Sequence, residues 1–526
     1  MPDVANTVAK PAERSDVISE RNDVVGPVVV TQDDPRYADL SIRGANARMV
    51  ARPESFQLAR NTTEVVRAVT DAVRSGKRIV ARSGGHCYEN FVSDSSVRIV
   101  LDMSEMNAVY FDRERRAFAV EAGATLVHVY QRLFLGWGVT FPGGSCDLGA
   151  GGHICGGGYG PLSRKHGLAV DYLAAVEVVV VDRSGTPRVV VATRDPDDPN
   201  HDLWWAHTGG GGGNFGVVTR YWLSTPGAPG DAPSDLLPKA PAGVLSSQVM
   251  WPWATMDEKS FHRIVRNHGE WHERNSDPAS PYNGLYGGLV LLGRGFGEGA
   301  GPAVLSFSQI DATDPEADGK LADYVAAIAD GVGADPMIAP VTSSPWMALM
   351  VKQARLQETP GVRVKLKAAY LKRCYTERQI STCYEWLSTP DPDRGEAAVA
   401  LQSMGGQTNA VARDATAVAF RDTVLQALYY STWAEESQDE AALDWMRRFY
   451  REMYAETGGV PVPGDVDGGC FVNFPDNDLA DPRWNTSGVP WPELFYRDNY
   501  PRLRQAKAKW DPNNVFRHAL SIELPE

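Results

Sequence analysis

Between Phe141 and Gly160 the chain reads FPGGSCDLGAGGHICGGGYG, and between Thr208 and Gly216 it reads TGGGGGNFG. Runs this rich in glycine make poor helices and strands, since each glycine inside an element costs roughly 0.5–1 kcal/mol relative to alanine. They suit loops that need positive φ and bring backbone N–H groups close to a ligand. A third loop, Ser83-Gly84-Gly85, belongs to the same class, and all three compete as the cradle of a pyrophosphate. Gly211, Gly213 and Gly216 formally satisfy GxGxxG. The dinucleotide fingerprint, however, must follow a strand and open a helix. Here Val217 to Tyr221 is a strand-like run, which disfavours a nicotinamide-binding Rossmann domain.

The flanking sequence supplies the elements that hold such loops. NTTEVVRAVTDAVRSGKRIVARSGG reads as helix, turn, strand and loop. Asn61 caps the helix with Glu64 three residues on, and Val65, Val66, Val69 and Val73 form its apolar stripe. AAVEVVVVDRSGTPRVVVAT reads as a β-hairpin turning at Ser184-Gly185, and NFGVVTRYWLST as another strand. TPGAPGDAPSDLLPKAPAG reads as a linker. Beyond it, strands (SSQVMWPW, YGGLVLLGRGF) alternate with helices (TMDEKSFHRIVRNHGEWHERN, EADGKLADYVAAIADGV). The reading is α+β, with a flexible N-terminus over 1–30, a first domain over 31–235, a second over 236–425 with a sheet backed by helices, and a C-terminal segment over 426–526 returning to the first.

With 526 residues and 43% hydrophobic content, two or three packed domains are expected. A net charge of −14 argues against nucleic acid and anionic membranes, and is compatible with neutral or cationic substrates. The six cysteines show no CxxC pairing, so neither a disulfide scaffold nor structural zinc is indicated, and no metal is expected. No apolar leader and no run of 18 apolar residues is present, so a cytoplasmic location is the expectation.

His86 stands in the first loop (RSGGHCYENF) and Cys146 in the second. The plain reading is a loop histidine and a buried cysteine. The sharper one is that both bond to one electrophilic flavin, since imidazole nitrogen and thiolate sulfur are suited nucleophiles.

At this point the sequence resembles the berberine bridge enzyme-like branch of the vanillyl-alcohol oxidase (p-cresol methylhydroxylase) flavoprotein superfamily, over nearly the whole chain. The motifs carrying the resemblance are RSGGHCYENF, PGGSCDLGAGGHICGGGYGPLSRKHGL, DLWWAHTGGGGGNFGVVTRYW, KLKAAYL, FVNFPDND and WDPNNVFRHALSI. Within that branch it resembles the hexose oxidases that tailor teicoplanin-type glycopeptide antibiotics. The resemblance implies a vanillyl-alcohol oxidase-type FAD-binding domain, a substrate domain with an antiparallel sheet backed by helices, and FAD bonded twice. His86 would hold the 8α-methyl carbon and Cys146 would hold C6 of the ring. The remaining FAD contacts would fall on Arg82, Ser83, Gly84 and Gly85, on Gly151, Gly152, Gly156 and Gly157, on Gly213, Asn214 and Gly216, and on Asn473.

The family passes hydride from a substrate carbon to flavin N5 and reoxidises with O₂ to H₂O₂. Related sugar oxidases draw a tyrosine base from a Y-x-N-Y-x-D stretch, which here reads Phe471-Val472-Asn473-Phe474-Pro475-Asp476. Both phenols are absent. Tyr370 in KLKAAYLKR matches the family's second active-site tyrosine; the alternative is an ordinary strand tyrosine. Tyr159 is expected beside the flavin, packing on the ring. Asn409 stands where plant members carry a catalytic glutamate, so berberine-type ring closure is not supported. Trp251, Trp253 and Trp346 are candidates for a substrate cleft or for core.

Three functions compete. The first is an oxidase tailoring an antibiotic-type natural product at a C–H beside nitrogen, where the amine lone pair assists hydride loss and no hydroxyl proton need be taken. The second is a hexose or alcohol oxidase with Tyr370 as base. The third is a flavin-bearing drug-binding protein. A small-molecule natural product and O₂ are the expected partners.

Overall fold

The computed structural model describes residues 26–296, 301–357 and 361–526. The first four strands, β1 (Val28–Thr31), β2 (Ser55–Leu58), β3 (Ile79–Arg82) and β4 (Ile99–Asp102), form a sheet in the order β1-β2-β4-β3. β4 pairs parallel with both β2 and β3. Of the flexible N-terminus expected over 1–30, residues 1–25 lie outside the described residues, whereas Val28–Thr31 pairs antiparallel with β2. The helix Thr62–Arg74 covers this sheet, and the Asn61 side chain accepts from Glu64 N at 3.0 Å as expected. Glu64 itself reaches back to Arg60 N rather than to the cap.

A second sheet is antiparallel, in the order β5-β6-β9-β7-β8. It comprises β5 (Val109–Asp112), β6 (Ala117–Glu121), β7 (Leu173–Val181), β8 (Pro187–Thr193) and β9 (Val217–Leu223). β7 and β8 are the valine-rich hairpin, in register from Ala175↔Thr193 to Val181↔Pro187. The Gly209–Gly216 loop runs directly into β9, as a strand-opening loop should.

The third sheet has nine strands: β10 (Gly243–Pro252), β11 (Tyr286–Leu292), β12 (Pro302–Asp311), β13 (Met337–Ile338), β14 (Thr342–Pro345), β15 (Arg363–Leu371), β16 (Glu396–Ser403), β17 (Leu425–Trp433) and β18 (Asp467–Gly469). Strand alternation divides it into two faces. Leu289, Leu291, Val304, Ala369, Leu371, Val399, Leu401, Ala427 and Tyr429 pack with the helices Glu258–Arg274, Glu377–Ser388 and Asp439–Met453. Val364, Leu366, Gln402, Leu428 and Tyr430 face the other way, into a large cavity.

The expected boundary at 425 is incorrect. It falls where β17 begins, and the sheet continues to Gly469 because β18 pairs with β15. A pairing this distant in sequence leaves no local pattern. The return to the first domain begins after β18 and is firm. Lys507 Nζ bonds Asn214 O at 2.7 Å, Phe516 O at 2.6 Å and Asp511 Oδ2 at 2.6 Å, and Lys507 and Asp511 are fully buried. The C-terminal segment thus clamps the glycine loop before β9.

Candidate active site

The cavity has a volume of ≈1740 Å³ and lies between the glycine loops and the third sheet. That exceeds the 300–1,000 Å³ typical of a small-ligand site, and is large enough for a dinucleotide with a substrate beside it. The glycine-loop half carries Ser83, Gly84, Gly85, His86, Gly151, Gly152, Gly213, Asn214, Gly216 and His518. The sheet half carries Tyr286, Gln309, Gln402 and Tyr430, and the helix Trp346–Gln357 adds Trp346, Met350 and Gln353.

Why the loops need glycine differs from position to position. Gly84 and Gly149 pack backbone against backbone: a Cβ on Gly84 would stand 2.9 Å from Gly149 Cα, and one on Gly149 would stand 2.8 Å from Gly84 Cα. These two glycines bring the histidine loop and the cysteine loop together. Gly152, with nothing within 4 Å of its missing Cβ, is the bare position facing the cavity. Gly213 adopts φ +74°, a left-handed conformation that favours glycine.

His86 and Cys146 enter the site differently. His86 is on the cavity wall; its Nε2 lies 3.0 Å from Asp147 Oδ2, and its Nδ1 is buried without a partner. Cys146 is one layer back, 1% exposed, with its sulfur 3.9 Å from Met350 Sδ. Burial, followed by the Asp147 charge, pushes its thiol up to about 11. His153, behind the second loop, is held down to about 4 by burial. It is therefore neutral, and Nε2 accepts from Gly144 N at 3.1 Å.

Several expected contacts are relocated. Arg82 lines the cavity through its strand, but its guanidinium turns away to Asp102 (Nε to Oδ2, 2.9 Å) and Leu40 O (2.7 Å). Gly156 and Gly157 are off the cavity wall: Gly156 lies against the Asn473 side chain, and a Cβ on Gly157 would stand 2.8 Å from Val418. Asn473 does line the cavity and donates to His153 O at 3.0 Å.

Of the expected catalytic residues, Tyr159 lines the cavity. Its ring is on the cavity wall and its hydroxyl donates to Gln402 Oε1. Burial raises its pKa far above the ordinary phenol value, so it keeps its proton. Tyr370 is on the same strand face as Val364 and Leu366 but does not reach the cavity. It is 3% exposed, with ring centroids 4.4 Å from Phe420 and 5.7 Å from Phe471. Asn409 is also off the wall. Gly405 and Gly406, at φ +82° and +60°, turn the chain away after β16, and Asn409 Nδ2 donates to Thr423 O at 3.0 Å. Trp251 and Trp253 are core between sheet and helices, whereas Trp346 lines the cavity against Tyr130 (5.8 Å). Phe471 and Phe474 both form cavity wall. Gln402, Tyr430 and Asp147 were not anticipated; the inward parity of β16 and β17 would have flagged the first two.

The set fits FAD. His86, which lines the cavity, has a buried Nδ1 with no partner, and the open space at Gly152 leaves room for a phosphate.

Relatives agree. Residues 53–188 match the family described as FAD binding domain, and residues 470–523 the one described as berberine and berberine like. The chain is 50% identical over 500 residues to aclacinomycin-N/aclacinomycin-A oxidase of Streptomyces galilaeus, covering 95% of this chain and 90% of that protein. It is 31% identical to hexose oxidase of Chondrus crispus, covering 93% of each. The crystal structure of a glycopeptide hexose oxidase complexed with teicoplanin superimposes with a TM-score of 0.90 at 49% identity, covering 95% of this chain and 99% of that one. Among the described residues no helix is long and apolar enough to cross a membrane. With an FAD-type cavity built on these three sheets, and oxidases similar to it along nearly its whole length, the chain belongs to the berberine bridge enzyme-like family of FAD-linked oxidases.

Proposed function

We propose that this oxidase carries FAD bonded to both His86 and Cys146 and removes hydride from a carbon beside nitrogen in a bulky, antibiotic-type natural product. Bound FAD, held by His86 and the glycine loops, would supply a two-electron acceptor with O₂ as the terminal oxidant. The observation carrying the nitrogen reading is the pair Phe471 and Phe474. Both wall the cavity, and neither can take a proton. Tyr370, the remaining candidate base, stands behind Phe471, and burial raises its pKa far above the ordinary value. An alcohol needs a base for its hydroxyl proton as hydride departs. A neutral amine needs none, because its lone pair drives the departure. The Tyr159–Gln402 pair would then orient the substrate as a hydrogen-bonding platform rather than accept a proton.

A second reading is sugar-alcohol oxidation. It is favoured by the hexose oxidases among the relatives and by the Tyr159 hydroxyl on the cavity wall. Product mass decides between them. The purified protein is offered amino-sugar antibiotics, peptide antibiotics and free hexoses under air. The nitrogen reading expects imine-derived or deaminated products from the amines; dehydrogenated hexose as the main product would favour the second.

A further inference from the structure

We propose that Asp147 is a positioning residue for the attachment of flavin to His86. The proposal rests on the reading that His86 carries the flavin, and it concerns what makes that imidazole ready to react.

A neutral imidazole offers a lone pair at one nitrogen only when the proton sits on the other. Asp147 Oδ2 stands 3.0 Å from His86 Nε2, while Nδ1 is buried and unpartnered on a residue that lines the cavity. A carboxylate beside Nε2 favours the proton there and leaves the Nδ1 lone pair free. Among the described residues Asp147 has no lysine or arginine within ion-pair distance, and its one ion-pair contact is His86. The carboxylate is also held in place. Cys146 O accepts from Val127 N and Leu148 O from Leu126 N, both at 2.8 Å, so the residues flanking Asp147 are pinned to the start of the helix Leu126–Trp137.

The step balances as follows. Nδ1 uses its lone pair to form a bond to the 8α carbon, which releases one proton. The electron pair of the broken C–H bond stays on the ring system until O₂ takes it, with two protons, as H₂O₂. The bonded imidazole keeps its Nε2 proton and a positive charge facing Asp147, and the carboxylate stabilises that charge.

The test is peptide mass spectrometry of denatured, purified holoenzyme, scoring flavin on the His86 and Cys146 peptides separately. Asp147→Asn keeps the shape but can donate to Nε2 and drive the proton to Nδ1, the wrong tautomer, as an amide does in a serine protease triad. In that variant we expect His86-linked flavin to fall at least about tenfold, with flavin retained on Cys146 as internal proof of a folded cavity. Asp147→Glu should restore most of the His86 linkage. Full His86 linkage in Asp147→Asn, or equal loss in both variants, would overturn the proposal. Wild-type protein with no flavin on His86 would instead overturn the attachment reading on which it rests.

Discussion

Phe471 stands between Tyr370 and the cavity, its ring centroid 5.7 Å from that of Tyr370 and 5.7 Å from that of Tyr159 on the cavity side. An apolar ring therefore stands on the cavity wall in front of the Tyr370 phenol.

The first prediction is that Tyr370→Phe changes turnover of an amine substrate less than about twofold. Phe471→Tyr, in contrast, should create or raise hexose oxidation. General-base catalysis contributes about 10²–10⁴-fold, so even a poorly placed phenol is detectable. Steady-state oxygen consumption on both substrate classes measures this. Loss of hexose turnover in Tyr370→Phe would show that the tyrosine reaches the chemistry despite its position.

The second concerns a buried ion network joining three parts of the site. Lys365 Nζ contacts Glu89 (2.6 Å), Asp476 (2.8 Å) and Asp478 (3.3 Å), and Lys367 Nζ contacts Asp476 (2.6 Å) and Asp478 (2.7 Å). Glu89 follows His86, and Asp476 follows Phe474. Burial alone would lower the Lys365 pKa, but Asp476, Glu89 and Asp478 together raise it, so the lysine is charged. Lys365→Met should cost about 3–5 kcal/mol, because it leaves the buried Glu89 without its ion-pair partner while Asp476 and Asp478 keep only Lys367 and Arg447. Denaturant unfolding checks the value; a loss below about 1 kcal/mol would contradict it.

The third is that acid destabilises the protein. Burial holds His153, His166 and His207 at about 4 and His268 and His518 at about 3, all below the ordinary 6.5. The unfolded chain binds protons at these sites between those values and 6.5 while the folded chain does not, so stability falls as pH drops below about 6.5. Asp467, raised by burial to about 7, acts oppositely: its contribution is lost as pH rises from about 4 to 7. The histidines outnumber it. Melting temperature should therefore be lower at pH 5 than at pH 7.5, and the reverse order would refute the balance.

The fourth concerns loop pairing. Gly84→Ala places a Cβ 2.9 Å from Gly149 Cα, backbone against backbone, where no side chain can yield. Overpacking of this kind costs about 1–3 kcal/mol. The purified variant should contain markedly less flavin per chain than wild type, read from the absorbance ratio. Undiminished flavin content would mean that the two loops need not meet so closely.

How much of this was legible in the sequence follows from the range of each interaction. The Asn61 cap, the Ser184-Gly185 hairpin and the strand after Gly216 are set by neighbours a few residues apart, and each is where the pattern put it. The end of the second domain was misplaced because β15 pairs with β18 across nearly a hundred residues of chain. Trp251 and Trp253 could be assigned to core or cleft only once strand parity was known. Asn409 kept its motif position but lost the cavity to two left-handed glycines. Gly156 and Gly157 lie in the correct run, yet side-chain packing, not a ligand, accounts for their lack of a Cβ. The Asp147–His86 contact joins two loops distant in sequence, and no local rule pairs them.

The most direct measurement of the central claim is anaerobic mixing of the purified yellow enzyme with an amine-bearing glycoside antibiotic, and separately with its N-acetylated form. N-acetylation withdraws the nitrogen lone pair while leaving every sugar hydroxyl in place. The account predicts flavin bleaching with the free amine, at a rate that rises with pH as the ammonium deprotonates toward the ~10 of an unperturbed alkylamine, and none with the acetylated form. Equal bleaching with both forms, independent of amine ionisation, would place the oxidation at a hydroxyl-bearing carbon and contradict the account.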